Sequence, residues 1–299
     1  MLDVMQRPRL LLGLCALFWA GNFVLGRAVH DSIPPVAFAF WRWLAASLLV
    51  MPFVWRPLWR QWSLLRACWL RMSVLALLGV TVFNTFVYSG LQTTTATNSV
   101  LIQSTLPLQV LLLNRLLFGV RTTVLEWAAI MLSLTGVFVI MSRGRPAELW
   151  AGDWPVGDLW VLSAAFSWAL YSVLLRWRPP ALDPRAFLGF ILPVGTLLLL
   201  PWYLAERAGG AAVDWHATNL LAVAYVAIFP SALAYLFWNR GVELIGANAA
   251  GHFIHLMPVF GTLLAVALLG EQPGAYHLAG IVLVATGIYL TVRQGRRAA

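Results

Sequence analysis

Thr81, Asn84 and Tyr88 stand three and four residues apart, which puts a hydroxyl, an amide and a phenol on one face of a helix. A second set, Tyr235, Trp238 and Asn239, lies 151 residues further on, with Asn84 answering to Tyr235 and Tyr88 to Asn239. Trp19 with Asn22, Trp168 with Tyr171, and Ser99 with Gln103 add aromatic faces and polar groups at helical spacing. Such groups bind and orient but attack nothing; they suit a ligand that is apolar at one end and zwitterionic at the other. The alternative is that they glue helices together by hydrogen bonds. His252 and His255, three apart, could touch a substrate, sense protons or be held structurally by neighbouring helices. No carboxylate or cysteine shares their face, so a metal site is not expected.

Reaction chemistry finds few parts. Paired carboxylates, a Cys–His pair and a phosphate-cradling glycine loop are all missing in plausible settings, so neither catalytic residues nor a cofactor is expected and the chain reads as a non-enzyme. Glu126 and Glu271 fall near helix ends and the other acids in loops or tails, so a carboxylate relay is not expected either. Arg42 is the one charge well inside an apolar stretch, where it is expected to face inward and bind backbone carbonyls.

The elements that position these groups follow from composition. The chain has 299 residues, is 61% hydrophobic and 10% charged, and has a mean hydropathy of +0.80. That is more apolar surface than a soluble core of this size buries, which predicts an all-α integral membrane protein. Ten stretches of roughly 20 residues can be placed at about 10–29, 34–54, 72–92, 97–117 and 124–141, then 158–176, 186–204, 219–239, 249–269 and 275–292. The run at 10–29 lacks a clear cleavage site and is expected to be a retained helix. Cys15 and Cys68 fall in a span and in a basic loop, so they are not expected to pair.

All twenty basic residues are arginine, and fifteen of them lie on one side if the N-terminus is cytoplasmic. The positive-inside rule therefore places both termini in the cytoplasm, and the +9 charge reads as topology and contact with anionic lipid, not nucleic-acid binding. Tryptophans near span ends, among them Trp41, Trp43, Trp55, Trp59 and Trp202, are expected to be interfacial anchors.

Gly90, Pro107, Gly119 and Gly136 recur without a gap as Gly241, Pro258, Gly270 and Gly287, and Trp19 and Arg27 recur as Trp168 and Arg176 at an offset of 149. The chain thus divides into a five-helix repeat at 1–141, an outer linker at 142–157 and a second repeat at 158–299. An odd number of spans per repeat makes the second copy inverted, the architecture of alternating access. Pro107 and Pro258 are expected inside apolar helices, where they would kink the chain and serve as paired hinges.

The Ala16–Arg27 helix with its Phe18-Trp19-Ala20 core, the Trp41-Arg42-Trp43 signature, the pattern around Pro107, the Leu268-Leu269-Gly270-Glu271 segment and the Gly280–Gly287 spacing resemble the EamA-type exporters of the drug/metabolite transporter superfamily. The resemblance covers about residues 10–292. It implies a secondary transporter of the bacterial inner membrane that exports a small-molecule substrate. Within the family the many aromatics look closest to aromatic amino acid exporters; efflux of drugs or other metabolites is the alternative. The oligomeric state stays open, a monomer being plausible.

Overall fold

The computed structural model describes residues 4–120, 123–147, 154–245 and 252–298; the inner part of the expected linker lies outside them. Every regular element among them is helical. We number them α1 (Pro8–Ala28), α2 (Pro35–Arg60), the short α3 (Trp62–Ala67), α4 (Trp69–Leu91), α5 (Ala96–Gln103), α6 (Leu106–Phe118), α7 (Val124–Met141), α8 (Val156–Leu174), α9 (Pro184–Ala208), α10 (Ala217–Ile245), α11 (Leu256–Leu269) and α12 (Ala275–Ala298). Eight spans are long and apolar enough to cross a membrane, α5–α6 counting as one and α8 extending to Trp177; the apolar stretches 253–269 and 275–287 are shorter.

Local chemistry sets the ends. Pro8, Pro35 and Pro184 each open a helix, where a fixed φ fits and the missing N–H costs nothing. Thr123 and Glu126 form a reciprocal cap at the start of α7. Gly119 (φ 63°) and Gly270 (φ 66°) close α6 and α11 in the left-handed conformation that only glycine adopts cheaply, so this repeated pair is one turn used twice.

The helices depart from the expected continuous rods in two ways. The 97–117 span is split, because Pro107 is the second residue of α6 and not an interior kink. Its ring cannot follow a helical turn, so the chain breaks at Ser104 and Thr105, whose hydroxyls bond back to the carbonyls of Leu101 and Ile102. Pro258 likewise is the third residue of α11, after a 3-10 turn at His252–His255. The second departure is a π-helical stretch in each of α4 and α10, at Leu77–Val82 and Ala227–Leu233.

Packing is reciprocal. Helix α2 lies along α9 and α7 along α12, while α1 lies against α10 and α11, and α8 against α4 and α5–α6. Glu206, near the end of α9, accepts hydrogen bonds from the Val36 and Ala37 N–H groups at the start of α2 (3.0 and 2.7 Å). At the other end Gln61 donates to Ala181 O and accepts from Asp183 N–H (2.9 and 2.8 Å). The two helices are therefore antiparallel and pinned at both ends. Between α7 and α12 a Cβ on Gly136 would stand 2.9 Å from Gly280 O, and one on Gly280 would strike Ile140. Small residues let these backbones touch, as membrane helices without a hydrophobic drive require.

Gly280→Val should therefore lower the thermal unfolding midpoint in detergent, at a cost of about 1–3 kcal/mol for overpacking. Gly13→Ala, where nothing lies within 4 Å, should leave it unchanged.

Candidate functional site

Three of the expected site residues meet at a group that was given only a structural part. Arg42 is 5% exposed as the eighth residue of α2, and its expected backbone-carbonyl partners are not what it binds. Its Nη1 donates to Asn22 Oδ1 (2.9 Å), Asn84 Oδ1 (2.9 Å) and the Tyr88 hydroxyl (2.8 Å). Its Nε donates to Ser231 Oγ (2.9 Å), and the Tyr88 hydroxyl donates onward to Asn22 Oδ1 (2.7 Å). The guanidinium also lies 4.7 Å from the centroid of the Trp43 ring. Trp43 is 2% exposed, so this residue is core and not the interfacial anchor expected, because its place one residue after Arg42 still faces inward. Among the described residues Arg42 makes no ion pair, and its Nη2 makes no hydrogen bond.

The π-helical stretches are what bring these partners in. A π turn misaligns carbonyls that an α-helix would satisfy, and such segments are common at functional sites. Asn84 Nδ2 donates to Val80 O (2.9 Å), Ser167 Oγ to Leu78 O (2.9 Å), Ser231 Oγ to Val226 O (2.7 Å) and Trp19 Nε1 to Pro230 O (3.2 Å). Side chains thus take up the freed carbonyls, as a segment away from water demands. In doing so they fix Asn84, Ser231 and Trp19 in place.

Aromatic rings flank the cluster. Trp19 packs on Trp238 (centroids 5.6 Å apart) and Trp168 on Phe83 and Tyr171 (4.7 and 5.1 Å). Tyr235 is half-buried and within electrostatic reach of Arg42 and Tyr171. Other expected members lie apart. Ser99 bonds to Thr95 O in its own helix (2.9 Å), Gln103 reaches Val161 O (3.5 Å), and Asn239 is exposed. His255 is half-buried in the 3-10 turn, and the His252 side chain lies outside the described residues. No group of three metal-ligating side chains exists among the described residues.

Sequence reasoning missed Arg42 as the hub. The signal was present: a charge inside a span marks a functional site before it marks a structural one. It also placed Asp158 among loop acids, whereas Asp158 is 1% exposed as the third residue of α8.

A bundle of membrane-length helices with a buried polar cluster defines a multi-pass membrane protein. The profile of the EamA-like transporter family matches it twice, at residues 8–142 and 155–293. The chain therefore belongs to that family and is a membrane transporter. It is 30% identical over 292 residues to an uncharacterized transporter of Archaeoglobus fulgidus, covering 97% of this chain and 98% of that one. It is also 27% identical over 274 residues to the uncharacterized transporter YyaM of Bacillus subtilis, covering 91% and 89%. A crystal structure 21% identical in sequence shares the fold, with a TM-score of 0.62 over 96% of this chain and 97% of that one.

If Arg42 serves a ligand, replacing it should cost function more than stability. Arg42→Met is expected to lower stability by about 1–3 kcal/mol, since it relieves the desolvated charge but leaves the buried oxygens of Asn22 and Asn84 short of a donor. The same variant should lose transport, which a purely structural arginine would not dictate; paired melting and flux measurements check this.

Proposed function

We propose that the protein exports small amphipathic metabolites, amino acids with aromatic side chains among them, across the bacterial inner membrane by alternating access. Arg42 carries this reading. A guanidinium buried among neutral partners, with one nitrogen uncommitted, is a receptor for an anionic group such as a carboxylate. The Trp19–Trp238 and Phe83–Trp168 pairs beside it offer rings on which an aromatic side chain can stack.

Alternating access draws support from the reciprocal packing. Each repeat contributes five spans, with α11 and α12 as the ninth and tenth, the second repeat is inverted, and both termini are cytoplasmic. The antiparallel α2–α9 pair fits that inversion. Pro107 and Pro258 each stand where a span restarts, so a change of angle there breaks no further backbone bond, which suits a hinge. Hydrophobic drug efflux is the second reading. It is favoured by an apolar groove of about 430 Å³ between α4 and α8, floored by Ser163 and Ser167 beside the π turn of α4.

Proteoliposomes preloaded with labelled phenylalanine, tryptophan, threonine or a sugar should release the aromatic amino acids. Phenethylamine, which has the ring but no carboxylate, should leave no faster than it leaks from protein-free liposomes. Asn84→Ala and Tyr88→Ala should each slow efflux about tenfold, the ~1.4 kcal/mol scale of one hydrogen bond to a charged group. Release of the amine with retention of the amino acids would replace this reading by drug efflux.

A further inference from the structure

The central site leaves one buried carboxylate unused. Asp158 accepts a hydrogen bond from the Thr94 hydroxyl and two from Asn98 Nδ2, at 3.3 and 3.1 Å. All three donations come from neutral groups in the turn and first helical residues that start α5. Asn98 Oδ1 in turn meets His277 Nε2 at 2.9 Å, on the first turn of α12. The Gly274 N–H donates to His277 Nδ1 (2.8 Å), so that nitrogen is the acceptor and Nε2 carries the hydrogen. Every member of the chain is thereby oriented: Gly274 gives to His277, His277 to Asn98, and Asn98 to Asp158. A series of donors all aimed one way suits a carboxylate at its end, which accepts at both oxygens.

The charged surroundings are sparse. Arg143, from the turn after α7, acts on Asp158 through space, and the two form no ion pair. Glu271, between α11 and α12, is committed to the Ala96 and Thr97 N–H groups at the start of α5 (2.7 and 3.0 Å) and lies within electrostatic reach of His277. Arg27 of α1 is committed to the Leu91 and Gln92 carbonyls (2.8 and 2.9 Å). Tyr276 packs its ring on His277, with centroids 4.1 Å apart.

We propose that Asp158 is a proton-binding site that seals this end of the bundle as a carboxylate and releases it when protonated. A proton taken from solution onto one carboxyl oxygen turns that acceptor into a donor facing the Asn98 Nδ2 hydrogens. On Oδ1 that proton would be accepted by the Thr94 hydroxyl and would leave the Asn98 bond to Oδ2 in place; on Oδ2, which meets only Asn98, the match is restored by flipping the amide, and that breaks its bond to His277. A proton on Oδ2 therefore loosens the start of α5 from α8 and α12 together, leaving the Glu271 cap and, at the far end of α5, the Gln103 bond to Val161 O as polar tethers. The inference rests on the transport reading for its consequence: in the proposed topology this end faces outside, so external acid favours the outward-open state.

The test places spin labels at Gln92→Cys and Gln272→Cys in a background with Cys15 and Cys68 replaced, and measures their distance in nanodiscs from about pH 8 to about pH 5. A longer population should grow as pH falls. Asp158→Asn should show it at every pH, while Glu271→Gln should keep the pH response. Asn98→Ala, which removes two of the three donations, should move the midpoint to higher pH; this second variant serves if Asp158→Asn does not fold. A distance indifferent to pH, a response that survives Asp158→Asn, or an unmoved midpoint in Asn98→Ala would overturn the proposal. The readout needs no substrate, so a flat response removes the proton site and leaves the transport reading standing. A pH response alongside inert proteoliposomes supports the proton site and removes the transport reading instead.

Discussion

A positive charge in the interior of a membrane bundle is the constraint on which the rest of this structure depends. Lipid would exact a heavy penalty for exposing the Arg42 guanidinium. The fold answers with four oxygens, from Asn22, Asn84, Tyr88 and Ser231, and none of them is charged. Neutral acceptors engage Nε and Nη1 without cancelling the guanidinium's field and leave Nη2 uncommitted. The centre stays electropositive, and that is the state a site for anionic groups requires.

Holding those oxygens in place demands irregular helices. Two π-helical stretches and two proline restarts interrupt spans that could have been regular, and they fall at matching places in the two halves. Each interruption frees backbone groups, which side chains such as Ser167, Trp19 and Asn84 then occupy. The bonds that satisfy the backbone also position the site, so local irregularity and function are one device. At the edge of the bundle the carboxylates Glu206 and Glu271 do comparable work, each bonding two N–H groups at the start of a helix across the internal boundary.

Much of this was legible in the sequence where a residue type has a single physical use. The recurrence of Gly119 and Pro107 as Gly270 and Pro258 was readable, although each proline restarts a helix where an interior kink was expected. The face formed by Asn84 and Tyr88 was readable from spacing alone. What was not readable depends on partners far along the chain: Ser231 lies 189 residues from Arg42, and no local pattern marks it as an acceptor. The π turns carry no residue signature, so they escaped notice. Asp158 was taken for a loop acid because its helix begins only two residues earlier, and burial by α5 is a tertiary fact. Trp43 misled in the same way, since a tryptophan beside a span end resembles an anchor until its face is known.

If Arg42 receives the anionic group of the transported molecule, a structure determined with bound phenylalanine should place the ligand carboxylate within hydrogen-bond distance of Arg42 Nη2 and its ring against the Trp19–Trp238 or Phe83–Trp168 pair. A ligand bound elsewhere, with the four bonds of Arg42 unchanged, would contradict it.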